Sequence, residues 1–226
     1  MREELLAAIL AADKELSRDE PEVAANIGLQ LEHMGLTTWS ISVRRRIRDA
    51  IARISPKNII HTGAAIGHLT AWLLDHYEGR DDLENFQIIE EGNRFAVILT
   101  RLCQRYSSVP TSIKVGSPSL LTSELKAWKI SKAGDAPMLD SADVIIVDAP
   151  MERLADDIGA MLPLLTKNGV LFTVEPTPPV GDREEDDAEV VGFNKWMDLI
   201  RETNESYHLA FAPLFGGSIV AWLPKH

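Results

Sequence analysis

The stretch from Asn58 to Thr70, NIIHTGAAIGHLT, constrains this chain more than any other. An apolar strand runs into a turn with two glycines and out again into a helix, the unit from which open α/β sheets build ligand crevices. Gly63 and Gly67, four residues apart, remove side chains where the backbone must turn sharply and approach a ligand. The helix expected from Leu69 to His76 presents unpaired N–H groups at its start. The spacing differs from the dinucleotide fingerprint G-x-G-x-x-G, because Ala65 stands where its middle glycine belongs.

The 226 residues suffice for one well-cored α/β domain, with residues 1–54 expected as an N-terminal helical cap and 55–226 as the core. A net charge of −11 argues against nucleic acid as the main partner, since phosphates call for a concentrated basic surface. The one basic cluster, Arg44, Arg45, Arg46, Arg48 and Arg53, lies on an amphipathic helix with Ile41, Val43, Ile47, Ile51 and Ile54, and reads as a solvated face. Cys103 is the single cysteine, which excludes an intrachain disulfide and suits a reducing compartment. No signal-peptide pattern and no apolar run of membrane-spanning length are present, so a cytoplasmic protein with no membrane partner is expected.

Periodicity predicts helices over 2–17, 20–34 and 41–54, with Ser17 and Asp19 as possible caps and Gly35 as a terminator. Strands over 58–62, 85–90, 112–115, 143–148 and 169–175 then alternate with helices over 67–77, 93–106, 119–128 and 151–165. That alternation predicts a mostly parallel sheet covered on both faces. A helix over 188–203 and two strands, Tyr207–Pro213 and Ser218–Leu223, joined through Gly216-Gly217, predict a C-terminal hairpin with one antiparallel member.

In such a sheet the ligand lies beyond the carboxyl ends of the strands, near the switch in strand order. Those ends carry His61 to Gly67, Glu90, Gly116-Ser117, Asp148 and Glu175. A carboxylate at the end of the second strand is suited to accept both hydroxyls of a ribose, which makes Glu90 and the glycine turn together a candidate adenosine site.

The runs IIHTGAAIGHLTAWLLD, FQIIEEGNRFAVILTRL, SIKVGS, ADVIIVDAP, LLTKNGVLFTV, GFNKWMDLI and LAFAPLFGGSIVAWL resemble, in that order, the catechol/caffeoyl-CoA type of S-adenosylmethionine-dependent O-methyltransferases over residues 36–226. The resemblance implies a Rossmann-like class I methyltransferase fold with a seven-stranded sheet and S-adenosyl-L-methionine as cofactor. It implies that Gly63 and Gly67 flank the methionine and ribose, Glu90 binds the ribose, Gly116 and Ser117 border the adenine, and Asp148 faces the sulfonium and the acceptor as the catalytic carboxylate. His61, Ala65 and His68 fall in the same cofactor turn, although His68 reads almost as readily as an ordinary first residue of a helix. Trp39, in the segment that covers the acceptor in similar enzymes, is a candidate substrate wall, and Glu175, near the end of the fifth strand, is a second candidate substrate residue.

The departures carry information. His61 stands where the family has an acidic residue holding the cofactor's ammonium, and a histidine supplies no fixed negative charge. The family's D-A-x-K reads Asp148-Ala149-Pro150-Met151, so the lysine that helps deprotonate a phenol is missing. Val174-Glu175-Pro176 replaces the Asp-Asn pair of the divalent-metal site, which leaves too few oxygen ligands for Mg²⁺ and predicts no metal. The acidic run 181–187 lacks calcium-loop order and reads as a solvated insertion, while His33, His76, His208 and His226 show no ligand spacing.

The resulting expectation is a methyltransferase acting on an oxygen of a small hydroxylated, phenol-like acceptor without metal, and the amphipathic N-terminal helices offer a surface for a homodimer. Two alternatives stay open: a non-catalytic S-adenosylmethionine-binding protein, favoured by Met151, and a nicotinamide-dependent oxidoreductase, disfavoured by Ala65 and by the hairpin.

Overall fold

A computed structural model of the chain describes residues 2–226. Strands β1 (Asn58–Thr62), β2 (Asn85–Glu90), β3 (Thr111–Val115), β4 (Ala142–Val147), β5 (Leu165–Val174), β6 (Tyr207–Leu214) and β7 (Gly217–Pro224) form one sheet in the order β3-β2-β1-β4-β5-β7-β6. The first five are mutually parallel; β7 pairs antiparallel with both β5 and β6 and is the single reversed member. Chain order runs outward from β1 to β3, then returns to β4, so the crevice expected of such sheets opens between β1 and β4.

The helices are α1 (Arg2–Leu10), α2 (Glu22–His33), α3 (Ile41–Ile54), α4 (His68–Tyr77), α5 (Asn93–Gln104), α6 (Pro118–Ser131), α7 (Met151–Met161) and α8 (Ala188–Thr203). One apolar layer gathers Leu6, Ile27, Ile47 and Trp72 with Ile59, Phe86 and Phe172, so the N-terminal helices share the core of the sheet. The other packs Leu121, Ile158 and Trp196 against Ile60, Ile145 and Trp222. Both faces are covered, which is why the central strands read as continuous apolar runs.

Two expectations in the N-terminal region are corrected. The first helix stops at Leu10 instead of continuing to residue 17. Asp13 folds the chain into a local turn, its Oδ1 accepting from the amides of Glu15 at 2.8 Å and Leu16 at 3.3 Å, a side-chain alternative to the next helical bonds. Pro21, preset for a first-turn position, precedes α2 in place of a Ser17 or Asp19 cap. The arginines of α3 are the second correction. Arg44 and Arg48 are buried, and the cluster grips main-chain carbonyls: Arg46 donates to Leu10 at 2.7 Å, Arg48 to Ser17 at 2.6 Å, and Arg53 to Ile9 at 3.0 Å. The face read as solvated is a clamp. It satisfies the last carbonyls of α1 and fixes the irregular segment that follows.

Gly35, at φ +66°, ends α2 as expected, with Leu36 N–H returning to Leu31 O at 2.9 Å. The remaining differences lie at element ends: β5 begins at Leu165, after a 3-10 turn over 162–164, and α6 runs on to Ser131.

Candidate active site

Gly63 follows β1 at φ +73°, its N–H donating to Ile89 O of β2 at 3.1 Å. On the other side Asp148 N–H donates to Thr62 O at 3.1 Å. A Cβ on Gly63 would lie 1.6 Å from the Asp148 carbonyl oxygen, so only glycine lets the ends of β1 and β4 meet this closely. The turn then places Ala65 at φ +49°, a left-handed conformation costing a non-glycine residue about 1–2 kcal/mol. Glu90 compensates. Its Oε2 accepts the Ala65 N–H at 2.9 Å and its Oε1 the Gly92 N–H at 3.0 Å, so the carboxylate at the end of β2 holds the glycine turn in place. Each oxygen retains a further lone pair for hydroxyl donors.

Three cavities meet at Asp148. The first, about 90 Å³, is lined by Gly63, Ile89, Glu90, Gly116, Pro118 and Asp157 as well as Asp148. The second, about 30 Å³, lies against the start of α4 and is walled by Trp39, Arg44, His61, Ala65 and His68. The third, about 500 Å³, opens among Trp39, Asp148, Met151, Val174, Glu175 and Glu189. Trp39 thus stands between the second and third, and Asp148 belongs to all three.

Burial, followed by the negative charge of Glu90, pushes the Asp148 carboxyl up to about 7. Asp157, buried on α7 and facing the first cavity, is raised to about 6 by burial against the opposing pull of Arg153. Arg153 itself pairs with Glu91 across the rim of that cavity.

His61, 1% exposed, rests its Nδ1 3.2 Å from Thr70 Oγ1, and burial pushes its pKa down to about 3, so the imidazole is neutral at physiological pH. His68 Nε2 lies 2.9 Å from Glu20 Oε1, which also accepts from Arg44 Nη2 at 2.7 Å and Trp72 Nε1 at 3.1 Å. Burial works to raise the Glu20 pKa, but the donors, Arg44 first and His68 next, outweigh it and hold Glu20 below its usual range. Burial and then the Arg44 charge lower His68, against the pull of Glu20.

Most residues expected at the site converge here: His61, Gly63, Ala65, His68, Glu90, Gly116, Asp148, Trp39 and Glu175 all line one of the three cavities. Two do not. Gly67, at φ +93°, turns toward α5, where an added Cβ would meet Leu102 and Leu99. The Ser117 hydroxyl caps α6 by accepting from Leu120 N–H at 3.2 Å, leaving Gly116 and Pro118 as the cavity wall. Glu20 and Asp157 went unnoticed in the sequence, and Arg44, read there as part of a solvated face, is buried and lines the second cavity. Only Asp157 left a signal in the sequence, as the acidic residue adjacent to Ile158 on the inner face of α7. Among the described residues, no group of three or more His, Cys, Asp or Glu side chains is arranged to hold a metal ion, and no helix is long and apolar enough to cross a membrane.

This topology is that of the class I methyltransferases, and solved structures share it over nearly the whole chain. The O-methyltransferase TomG from Streptomyces achromogenes, in complex with SAM, is 15% identical with a TM-score of 0.65 over 100% of both chains. The SAH-bound methyltransferase PaMTH1 from Podospora anserina is 15% identical with a TM-score of 0.65, covering 100% of this chain and 95% of that one. An O-methyltransferase from Bacillus cereus in complex with SAH is 14% identical, TM-score 0.63, over 98% and 96%. No family model matches the sequence, and no curated protein matches it. At these identities the likeness establishes the fold.

Proposed function

We propose that the protein is an S-adenosylmethionine-dependent O-methyltransferase acting on a small hydroxylated, phenol-like molecule. One observation carries the reading: three cavities of different character converge on one carboxyl, Asp148, and a sulfonium has three substituents to distribute. The cavity with Glu90, Gly63 and Gly116 suits the adenosyl arm, the cavity at the start of α4 the amino-acid arm, and the large cavity the acceptor. The solved structures in complex with SAM or SAH support S-adenosylmethionine as the donor.

The cofactor supplies an activated methyl group; the protein supplies alignment. Glu90 offers two acceptor oxygens to ribose hydroxyls, the glycine turn lets the ligand approach the backbone, and Asp148 places a carboxylate beside a positive centre. Trp39 forms one wall of the acceptor cavity, and Glu175, just after β5, lines it as well. Holding an acceptor oxygen in line is the main contribution such a site makes, about 7–11 kcal/mol in well-oriented cases. With Val174-Glu175-Pro176 in place of the family's Asp-Asn pair, Asp148 and Glu175 are the carboxylates left at these strand ends, which favours transfer without a divalent metal.

The test is methyl transfer over a panel of phenols and catechols, read by product mass, with EDTA or added Mg²⁺. Turnover that survives EDTA and drops in Asp148→Ala supports the reading. Turnover only with metal refutes the metal-free chemistry; cofactor binding with no turnover on any acceptor favours the non-catalytic alternative, which Met151 in place of a lysine also favours.

A further inference from the structure

The cavity of about 500 Å³ assigned to the acceptor is lined by four carboxylates, Asp148, Glu152, Glu175 and Glu189, and by no lysine, arginine or histidine. They come from four places in the fold: Asp148 and Glu175 just after β4 and β5, Glu152 and Glu189 from the first turns of α7 and α8. Only Glu189 is paired, with Arg183 at 2.8 Å. Among the described residues, no hydrogen bond or ion pair reaches the carboxylates of Asp148, Glu152 or Glu175. Asp148 shows the consequence most plainly, since burial and the charge of Glu90 push its carboxyl up to about 7 with no cation to oppose them. A space lined by one sign of charge attracts the opposite sign and repels its own, so it discriminates among acceptors.

The arrangement of these carboxylates suits an organic cation. Among the described residues, no three His, Cys, Asp or Glu side chains converge as ligands of one metal ion do. Carboxylates spread around a cavity of this size instead leave room for a molecule between them, and an ammonium on that molecule brings three donors to acceptors that have none. We infer that the acceptor is a cationic phenol, bearing a protonated amine on a short side chain, with its ring against Trp39 and its ammonium held by Glu152 and Glu175. The inference rests on the proposed methyl transfer and adds the charge of the molecule that receives it. Asp148 remains beside the sulfonium, and Glu189 stays with Arg183. The ammonium has no lone pair and is a handle, not a nucleophile: the phenolic oxygen forms the bond to the methyl carbon as the sulfur–methyl bond breaks, and the phenolic proton passes to water. Acceptors with a carboxylate or phosphate tail meet three unpaired like charges and are rejected.

The experiment offers phenols and catechols in matched forms that differ only in the tail, an amine, an alcohol or a carboxylate; tyramine, tyrosol and para-hydroxyphenylacetate are the simplest set. With the full chain, S-adenosylmethionine and EDTA, kcat/KM should be at least about tenfold higher for the amine than for the alcohol, and lowest for the carboxylate. Raising the salt should shrink the amine's advantage in the unmodified protein, a readout that needs no variant. Glu152 is exposed, so Glu152→Lys should keep its thermal midpoint while moving the preference about tenfold from the amine toward the carboxylate. Equal turnover of the three forms, an amine-to-alcohol ratio indifferent to salt, or a preference unmoved in Glu152→Lys would overturn the inference and leave methyl transfer standing. Turnover only with added Mg²⁺ would make a metal the missing cation, overturning the inference together with the metal-free chemistry. Cofactor binding without turnover of any form would overturn it with the acceptor reading, and no binding of S-adenosylmethionine would defeat the proposed function itself.

Discussion

Gly63 and Asp148 touch across the switch in strand order: the glycine has no room for a methyl group because the aspartate's carbonyl oxygen occupies the place its Cβ would take, at 1.6 Å. The contact joins the turn that shapes the cofactor crevice to the residue at the centre of the site. Gly63→Ala should therefore lose stability on the order of 3 kcal/mol, combining left-handed strain with overpacking. Urea denaturation would measure the loss, and an unchanged midpoint would show that the β1 and β4 ends separate without cost.

Glu90 has two tasks, and Glu90→Ala should fail at both. Removing it strands the Ala65 and Gly92 amides and frees a strained residue, at a cost of about 1–3 kcal/mol in stability. Loss of the ribose acceptor should weaken S-adenosylhomocysteine by a comparable amount, about 1.5–3 kcal/mol. Calorimetry beside thermal denaturation separates the two effects; full ligand affinity in the variant would remove Glu90 from the binding site.

The raised pKa of Asp148 makes two pH effects testable. A carboxyl that titrates near 7 when folded and near 3.8 otherwise favours the folded state at low pH, so stability falls as pH rises from about 4 to about 7. Asp157, raised to about 6, acts with the same sign, so Asp148→Asn should flatten the decline only in part. Ionised Asp148 attracts a sulfonium but not a thioether, and the affinity ratio of S-adenosylmethionine to S-adenosylhomocysteine should rise between about pH 6 and about pH 8. A pH-independent ratio would place the sulfonium away from Asp148.

Glu20 is the common partner of Arg44, His68 and Trp72, and Glu20→Ala leaves a buried guanidinium without its counter-charge. A loss of about 2–4 kcal/mol is expected, within the usual range for breaking one side of a buried pair and reduced by Glu20's own partial exposure. Glu20→Gln, which keeps one acceptor oxygen, should recover part of it. Chemical denaturation of both variants tests this; equal losses would mean that charge, and not hydrogen bonding, holds the network.

The sequence by itself determined the parallel core, the reversed strand of the C-terminal hairpin, the glycine turn, and the placement of Glu90, Asp148 and Glu175 at the carboxyl ends of strands. These follow from local rules: strand and helix periods identify the elements, strict alternation makes them parallel, and the last residue of each parallel strand must face the crevice. Tertiary structure alone decided that the arginines of α3 clamp carbonyls instead of facing water, that Glu20 joins Arg44 to His68, and that Asp157 looks into the first cavity. Every residue carries a carbonyl, so an arginine that binds one leaves no pattern in the chain, and Glu20 finds His68 across 48 positions only because α2 packs on α4. The buried polar atoms that lack partners, among them His61 Nε2 and His68 Nδ1, exist only once packing has excluded water from them.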